Sequence, residues 1–486
     1  MVPEQNGLRR RDFLRATMSA TAFAGVPAFV ATADDKSSGP RGAGRLNAGA
    51  AIADITPPLG VSMKGPIGGN GIVKSIHDPM HARCLALDNG HTRLAICVCD
   101  CTVIWRKSIE QAKKLVHQQT GLPIERMLIS ATHTHATPRM MGMSDTDLDK
   151  QYYDHFERRI AEAICRAIAN LAPARIGWGS ASKPEFVRRR RFRIEPGSNG
   201  PNPFGEMTDR AWMYAKPKTR IRPEGRVDPG LSILSVQHAD GRPLAVLANY
   251  SIHYTSGYKR NEVSADYYPQ FADQIEKLLE ADESKPAFVG IMSNGNSGNI
   301  GPWHGGYEGM RKVGNSLAEE AFRVCQKMDY HDRVPIVMRE EELELGVRRP
   351  DEKRIAWARQ VLAGTWTKKA HHWKNVYVRN TLQLKDFPPT VRPKFQAVQI
   401  GNLGIASNPC EMYAETGLEI KQGSPLEVTF NIQLANGYNG YLPTPEQHEL
   451  GGYSTWPAIS SYLEVDASSK IRDHALKLLK EASAVV

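Results

Sequence analysis

The chain has 486 residues, of which 41% are hydrophobic, 8% aromatic and 23% charged. That balance excludes a disordered or low-complexity chain, which lacks the apolar surface to offset ordering entropy, and the length allows two or three domains at about 100–200 residues each. Lys and Arg number 62 against 52 Asp and Glu, a formal net charge of +10, and residues 1–45 alone hold seven bases and four acids. The remaining excess is mild and dispersed, so nucleic acid is not the expected partner, while an anionic substrate or surface stays open.

The N-terminus carries an address. Arg10-Arg11-Asp12-Phe13-Leu14 matches a twin-arginine export pattern, followed by a weakly apolar stretch over 18–33 that ends Ala31-Thr32-Ala33. Small residues at the last and third-last places fit a signal peptidase site, so residues 1–33 are expected to be a signal peptide and the protein to be periplasmic or extracellular. The apolar run is shorter than the roughly 20 residues of a spanning helix and Pro27 interrupts it; no later segment is expected to span a membrane. A linker is expected over 34–45 and one domain over 46–486.

Strands are predicted over 92–104, 127–131, 231–236, 244–252, 287–292, 335–347 and 395–406, where apolar and β-branched residues run together. Helices are predicted over 150–171, 267–279, 307–328, 351–362 and 468–482. In the first of these, Tyr153, Phe156, Ile160, Ile164 and Ile168 recur at three and four residues and make one apolar stripe. The alternation predicts an α/β fold, with mixed α+β layers around a substantial sheet. Residues 365–395, mixed in Lys, His and Trp, read as a long loop or insertion.

Seven cysteines are an odd number for an exported chain, so at least one stays unpaired within it. Cys97, Cys99 and Cys101 alternate and share one strand face, where they read as small buried apolar residues. Parallel neighbours at i and i+2 do not converge on one ion.

The polar stretches that follow the predicted strands carry the chemistry. In Thr132-His133-Thr134-His135 two imidazoles face one side of a strand end. That suits a metal ligand with a neighbouring catalytic histidine, and a hydrogen-bonded pair closing a strand explains it as well. Asn249-Tyr250-Ser251-Ile252-His253 again ends an apolar strand in a histidine, and the later Asp266 is placed either to cap a helix or to hold His253 in its tautomer. Ser293-Asn294-Gly295-Asn296-Ser297-Gly298-Asn299-Ile300-Gly301-Pro302 brings backbone N–H groups to a ligand or is a plain turn. Glu411 of Asn408-Pro409-Cys410-Glu411 reads as an acid at a helix start, and residues 437–446 are turn-rich and aromatic.

Taken in order, Ala53-Asp54-Ile55-Thr56-Pro57-Pro58, His133-x-His135, Asn249 to His253, Gly298 to Pro302, Pro409-x-Glu411 and Gly440-Tyr441-x-x-Thr444-Pro445-Glu446 resemble the neutral/alkaline ceramidase family over about residues 47–465. The resemblance implies an exported zinc amidohydrolase cleaving an N-acyl amide bond, in ceramide or a related compound, with a metal-activated water. Carried over motif by motif, it implies that His133, His253, Glu411 and Tyr441 hold zinc, a donor set that manganese or iron could also use. His135 is then a proton carrier beside the metal, and Tyr453 and Arg190 stabilise the oxyanion. Arg189 stands where the family has Asn in an Asn-Arg pair.

Two departures bear on the substrate. The loop that reads Gly-Asp-Val-Ser-Pro in ceramidases is Gly298-Asn299-Ile300-Gly301-Pro302 here, so no serine is available at that place. Asn299, Gly301 and Arg189 are therefore the candidate substrate-binding positions. The ceramidases also carry a C-terminal β-sandwich domain, and with about 45 residues after Tyr441 the expectation is a ceramidase-like catalytic domain without it. The basic clusters Arg188 to Arg193 and Lys216 to Arg226 keep a second reading open, a metal-dependent hydrolase or lyase of an anionic polysaccharide. A non-catalytic binding protein with a retained metal site is the third. The expected partner is thus a small-molecule, lipid or glycan substrate.

Overall fold

The computed structural model describes residues 43–63, 71–138, 140, 146–281 and 285–484. The signal peptide and most of the linker fall outside the described residues. Ala43–Arg45, assigned to the linker on composition, form a strand antiparallel to Arg333–Pro335.

Two sheets stack face to face. The larger has eight strands, β1 (Asn47–Asp54), β2 (His81–Asp88), β3 (Arg93–Cys99), β4 (Met127–Ala131), β5 (Ala172–Ser182), β6 (Gly230–His238), β7 (Pro243–Tyr250) and β8 (Val289–Asn294). Their spatial order is β8-β7-β6-β5-β1-β2-β3-β4, with β3 parallel to β4 and β7 parallel to β8 and the other pairs antiparallel. The second sheet places Ala43–Arg45 beside β9 (Arg333–Glu342), β10 (Lys394–Ile400), β11 (Leu403–Ser407) and β12 (Val428–Ile432) in that order.

Period-two alternation decides what each strand face meets. On β3, Leu94, Ile96 and Val98 enter the core between the sheets, among Val398, Ile400, Ile405 and Phe430 of the second sheet. Ala95, Cys97 and Cys99 point the other way, under α1 (Arg106–Thr120) and α2 (Asp147–Ala169), whose Ile109, Val116, Phe156, Ile160 and Ile164 cover them. The alternating thiols are the small buried residues expected, and all seven cysteines are free. The other half of this outer face packs on α3 (Tyr268–Leu278) and α4 (Gly306–Cys325). Helices α7 (Ala414–Gly423) and α9 (Ala467–Ser483) cover the outer face of the second sheet. The architecture is therefore four layers, helix on sheet on sheet on helix, which is an α/β arrangement with two sheets rather than one. No helix among the described residues is long and apolar enough to cross a membrane.

Several predicted elements are corrected. The strand over 92–104 stops at Cys99, because the carboxylate of Asp100 turns to the Arg83 guanidinium at 2.5 Å and to the His81 N–H at 2.9 Å. The strand over 395–406 is the hairpin β10–β11, turned at Gly401 with φ of 55°, and that over 335–347 ends at Glu342. The loop over 365–395 contains α6 (Lys374–Lys385), which pairs with α5 (Glu352–Leu362) over a small aromatic core of Phe204, Trp357, Tyr377 and Trp456. Strands β1, β2 and β5 and helix α1 were not predicted. In β1 the cause is a run of alanine and glycine, weak strand formers, and the glycine is required, since a Cβ at Gly49 would stand 2.2 Å from the Ala167 carbonyl of α2.

The two edges of the large sheet, β4 and β8, are tied together. Residues 433–436, running on from β12, bond to both: Gln433 N–H to the Asn294 carbonyl, Ala131 N–H to the Leu434 carbonyl and Asn436 N–H to the Ile129 carbonyl, at 3.1, 3.2 and 2.9 Å. The Asn294 side chain also donates to the Thr132 carbonyl at 3.0 Å. This closure brings the segments that leave β4, β7, β8 and β11 to one end of the molecule.

Candidate metal centre

His133 leaves β4 with φ of 70°, a left-handed conformation that costs a non-glycine residue energy and is held only where the surroundings enforce it. Its Nδ1 lies 2.9 Å from the Thr102 carbonyl, and Nδ1 of His253, which follows β7, lies 3.0 Å from the Ser297 carbonyl. A carbonyl accepts, so each Nδ1 carries the proton and each Nε2 keeps its lone pair. Asp266 does not hold His253 in its tautomer; both its carboxylate oxygens take the Thr255 N–H, and one takes that of Tyr267.

Glu411 lies on the two-residue strand Glu411–Met412, parallel to Tyr441–Leu442 with Glu411 directly opposite Tyr441. It is not at a helix start, since α7 begins at Ala414. Its Oε1 accepts the Tyr438 hydroxyl at 2.8 Å. Its Oε2 stands 3.3 Å from His133 Nε2 and 3.8 Å from His253 Nε2, and His135 Nε2 is 3.3 Å from His133 Nε2. Ligand atoms of His133, His135 and His253 all lie within 4.8 Å of one another, and all three side chains are buried.

Neither His253 Nε2 nor Glu411 Oε2 has a hydrogen-bond partner. Buried polar atoms are nearly always paired, and here lone pairs of two imidazoles and a carboxylate face one point. A cation reconciles them, and nitrogen and carboxylate donors fit zinc. Burial, with Arg190, His133 and His135 adding to it, pushes His253 well below the ordinary histidine range, so the ring is neutral as a ligand must be. Burial works against ionisation of Glu411, while Arg190 and the Tyr438 hydroxyl favour it, and the carboxyl is held below its usual value.

The loop after β8 supplies the floor. A Cβ at Gly298 would stand 2.2 Å from the Glu411 carbonyl oxygen, so glycine there lets the loop pass directly beneath the carboxylate residue. Arg190, 4% exposed, donates from Nη2 to the Gly298 carbonyl at 2.6 Å and to the Tyr441 hydroxyl at 3.2 Å. Tyr441 is pushed well up by burial, against the pull of Arg190.

A cavity of about 410 Å³ opens onto this cluster, and His135, His253, Arg190, Tyr441 and Tyr453 all line it. His135 lacks a carbonyl clamp of the kind that fixes His133 and His253 and instead stacks on Tyr254 at 3.9 Å. The three candidate substrate-binding positions are elsewhere. Asn299 accepts the Ala414 N–H at 2.9 Å and donates to Glu415 at 2.8 Å, tying the loop to the start of α7. Arg189 donates to the Gly225 carbonyl at 2.6 Å, and Gly301 packs on the Arg188 and Arg190 backbone. None of the three lines the cavity.

Most of the basic clusters do not line it either. Arg188 lies over Trp303 at 4.0 Å, Arg193 pairs with Glu224 at 3.0 Å, and the fully buried Arg191 turns to Gln447 of α8 (Pro445–Leu450) at 2.9 Å. Of the clustered bases only Arg190 reaches the cavity. Residues that sequence reasoning missed are Tyr438, which orients Glu411, and the wall of Trp212, Tyr214, Tyr254, His371, Trp373 and Trp456. Tyr438 and Trp373 lay in stretches noted as aromatic, and nothing local assigned either a role.

Trp456 is held by a buried acid, its Nε1 donating to Asp209 at 2.8 Å. Burial pushes the Asp209 carboxyl up to about 6 from 3.8, against Trp456, the Gly452 N–H and Arg191 and with help from Glu206. A raised carboxyl means that the folded state binds the proton more tightly. Its contribution is complete below about pH 4 and is lost as pH rises through about 6, at most about 3 kcal/mol. Thermal melts of wild type and Asp209→Asn are expected to diverge over that window, the variant becoming the relatively more stable; parallel curves would contradict it.

Fold and site together define an α/β protein with a buried histidine–carboxylate cluster, of a kind that could hold a metal ion, beside an aromatic cavity. The model of the neutral/alkaline non-lysosomal ceramidase N-terminal region matches residues 46–336, and the chain belongs to that family. It is 22% identical to neutral ceramidase A of Dictyostelium discoideum over 52% of this chain and 35% of that one. It is also 22% identical to the neutral ceramidase of Pseudomonas aeruginosa, over 74% of this chain and 61% of that one. The chain thus spans between about a third and three-fifths of the length of these relatives. The crystal structure of the Pseudomonas aeruginosa neutral ceramidase superposes with a TM-score of 0.64 at 17% identity, covering 90% of this chain and 75% of that one, which is a likeness of fold.

Proposed function

We propose that the protein is a zinc-dependent hydrolase of an N-acyl amide bond. The observation that carries the reading is the pair of buried, partnerless atoms, His253 Nε2 and Glu411 Oε2, turned toward each other beside His133. His133, His253, Glu411 and Tyr441 would hold the ion. When bound, zinc supplies a Lewis acid and lowers the pKa of water toward about 7.

The side chains around it account for the remaining chemistry. In hydrolysis the carbonyl carbon gains an oxygen from water, the C–N bond breaks, and the amine leaves with a proton. His135 faces the cavity and is kept neutral by burial and by His133 and Arg190, so its Nε2 accepts a proton and returns it to the departing nitrogen. Arg190 and Tyr453 both line the cavity, and in this reading they stabilise the carbonyl oxygen as it gathers negative charge. Nothing in this scheme requires a serine in the loop after β8. Zinc analysis together with fatty-acid release from a short-chain ceramide, in wild type and in ligand variants, tests the reading.

Export by the twin-arginine route is part of the same proposal and rests on Arg10-Arg11 and the stretch that follows. Cell fractionation is expected to find the protein outside the cytoplasm and an Arg10→Lys, Arg11→Lys double variant retained inside; equal export of both would remove this part.

A further inference from the structure

The lining of the cavity bears on what the substrate carries. Its wall is made of rings, chiefly Trp212, Trp373, Tyr453, Trp456 and Tyr254, and among the described residues Met213 is the only non-aromatic apolar side chain in it. The rings brace one another: Trp373 lies 5.3 Å from Tyr453 at 59°, and Trp456 lies 5.2 Å from Trp212 at 72° and 6.4 Å from Tyr453 at 88°. With Trp456 also held by Asp209, the wall presents fixed ring faces rather than an adaptable aliphatic surface. The rings also carry polar edges, namely tyrosine hydroxyls and the imidazoles of His371 and His372.

The Tyr441 and Tyr214 hydroxyls already accept from Arg190 and His371 Nδ1 accepts the Trp373 N–H, and an alkyl chain offers the remaining edges no hydrogen bond. A polyhydroxylated ring satisfies them with its hydroxyls and sets its C–H face on the aromatic faces, the amphipathic use to which tyrosine and tryptophan are suited. The charge at the wall is equally selective. Among the described residues no carboxylate and no lysine lines the cavity, and the one arginine that does, Arg190, already donates to Gly298, Tyr441 and Tyr214. That favours a neutral ring over a polyanion.

We propose that the ligand of this cavity is a neutral N-acylated amino sugar, its pyranose ring against Trp373 and Trp456 and its short acylamino group directed at His135 and Arg190. The hydrolytic step rests on the amidase reading above; the ring site does not. Calorimetric titration of the full chain, zinc-loaded and metal-free, with triacetylchitotriose and with N-acetylsphingosine tests it, with acetate release followed in parallel. The trisaccharide is expected to bind at least tenfold more tightly than the sphingoid amide, Trp373→Ala to weaken it about tenfold, and Trp373→Phe to restore most of that loss. Tighter binding of N-acetylsphingosine, binding of neither compound, or sugar affinity unchanged in a folded Trp373→Ala would overturn the ring site. Sugar bound by the zinc-loaded protein without acetate release would keep the ring site and overturn the amidase reading, and acetate from N-acetylsphingosine alone would do the reverse.

Discussion

Replacing Glu411 by alanine is expected to empty the metal centre and lower kcat/KM for the amide substrate by at least about 10³-fold, some 4 kcal/mol of transition-state stabilisation. The carboxylate is 3% exposed and its Oε2 faces two histidine lone pairs at 3.3 and 3.8 Å, so no other side chain there supplies the compensating negative charge. His253→Ala, at the other partnerless atom, is expected to behave alike. Tyr438→Phe removes the 2.8 Å bond that orients Glu411 and is expected to weaken metal affinity by about 10–100-fold, with activity recovered in excess zinc. Because a metal that binds only the folded state stabilises it by mass action, chelation is expected to lower the melting temperature of wild type and not of Glu411→Ala. Elemental analysis beside the melts checks all of this; near-stoichiometric zinc in Glu411→Ala would remove the proposed centre.

Arg190→Ala is expected to keep the zinc and lose about 10²–10³ in kcat, the range for removing one preorganised donor from a developing oxyanion. The guanidinium is buried, held by the Gly298 carbonyl and turned onto the Tyr441 hydroxyl, and among the described residues it is the only cationic side chain lining the cavity. Arg190→Lys is expected to fall between, since an ammonium keeps the charge and forfeits the planar fork. Loss concentrated in kcat with zinc content unchanged identifies a group acting on the reacting atoms. Equal loss of zinc would instead assign Arg190 to holding the ligand Tyr441 in place.

Much of the frame was legible in the residues. Strand β4 coincides with the predicted 127–131, and α2 follows from a stripe at three- and four-residue spacing, because periodic burial writes itself directly into sequence. The buried stripe runs through Tyr152, Phe156, Ile160 and Ile164, with Tyr153 and Ile168 only partly covered. The weak places have a common cause. Strand β1 is built from alanine and glycine because α2 lies close against it, so the packing that requires the strand also strips it of strand-forming residues. Helix α6 was hidden in a stretch of Lys, His and Trp whose aromatic residues serve a small core and a cavity wall.

The site divides in the same way. His133, His135 and His253 were visible as histidines closing apolar strands, and that local pattern left ligand and hydrogen-bonded pair equally open. Glu411 and Tyr441 entered through resemblance alone, since an acid after Pro409-Cys410 and a tyrosine in a turn carry no local mark of a shared ion.

The sequence by itself determined the alternation of strands and helices, the strand-end histidines and the resemblance to a family, because each depends on neighbours in the chain. Only the tertiary structure decided that β4 and β8 close through residues 433–436, that Glu411 stands opposite Tyr441, and that one arginine of a basic cluster enters the cavity. Those depend on residues distant in the chain, from 30 positions for Glu411 and Tyr441 to more than 250 for Arg190 and Tyr441, meeting at one point, and folding is what takes the lone pairs that meet there out of water.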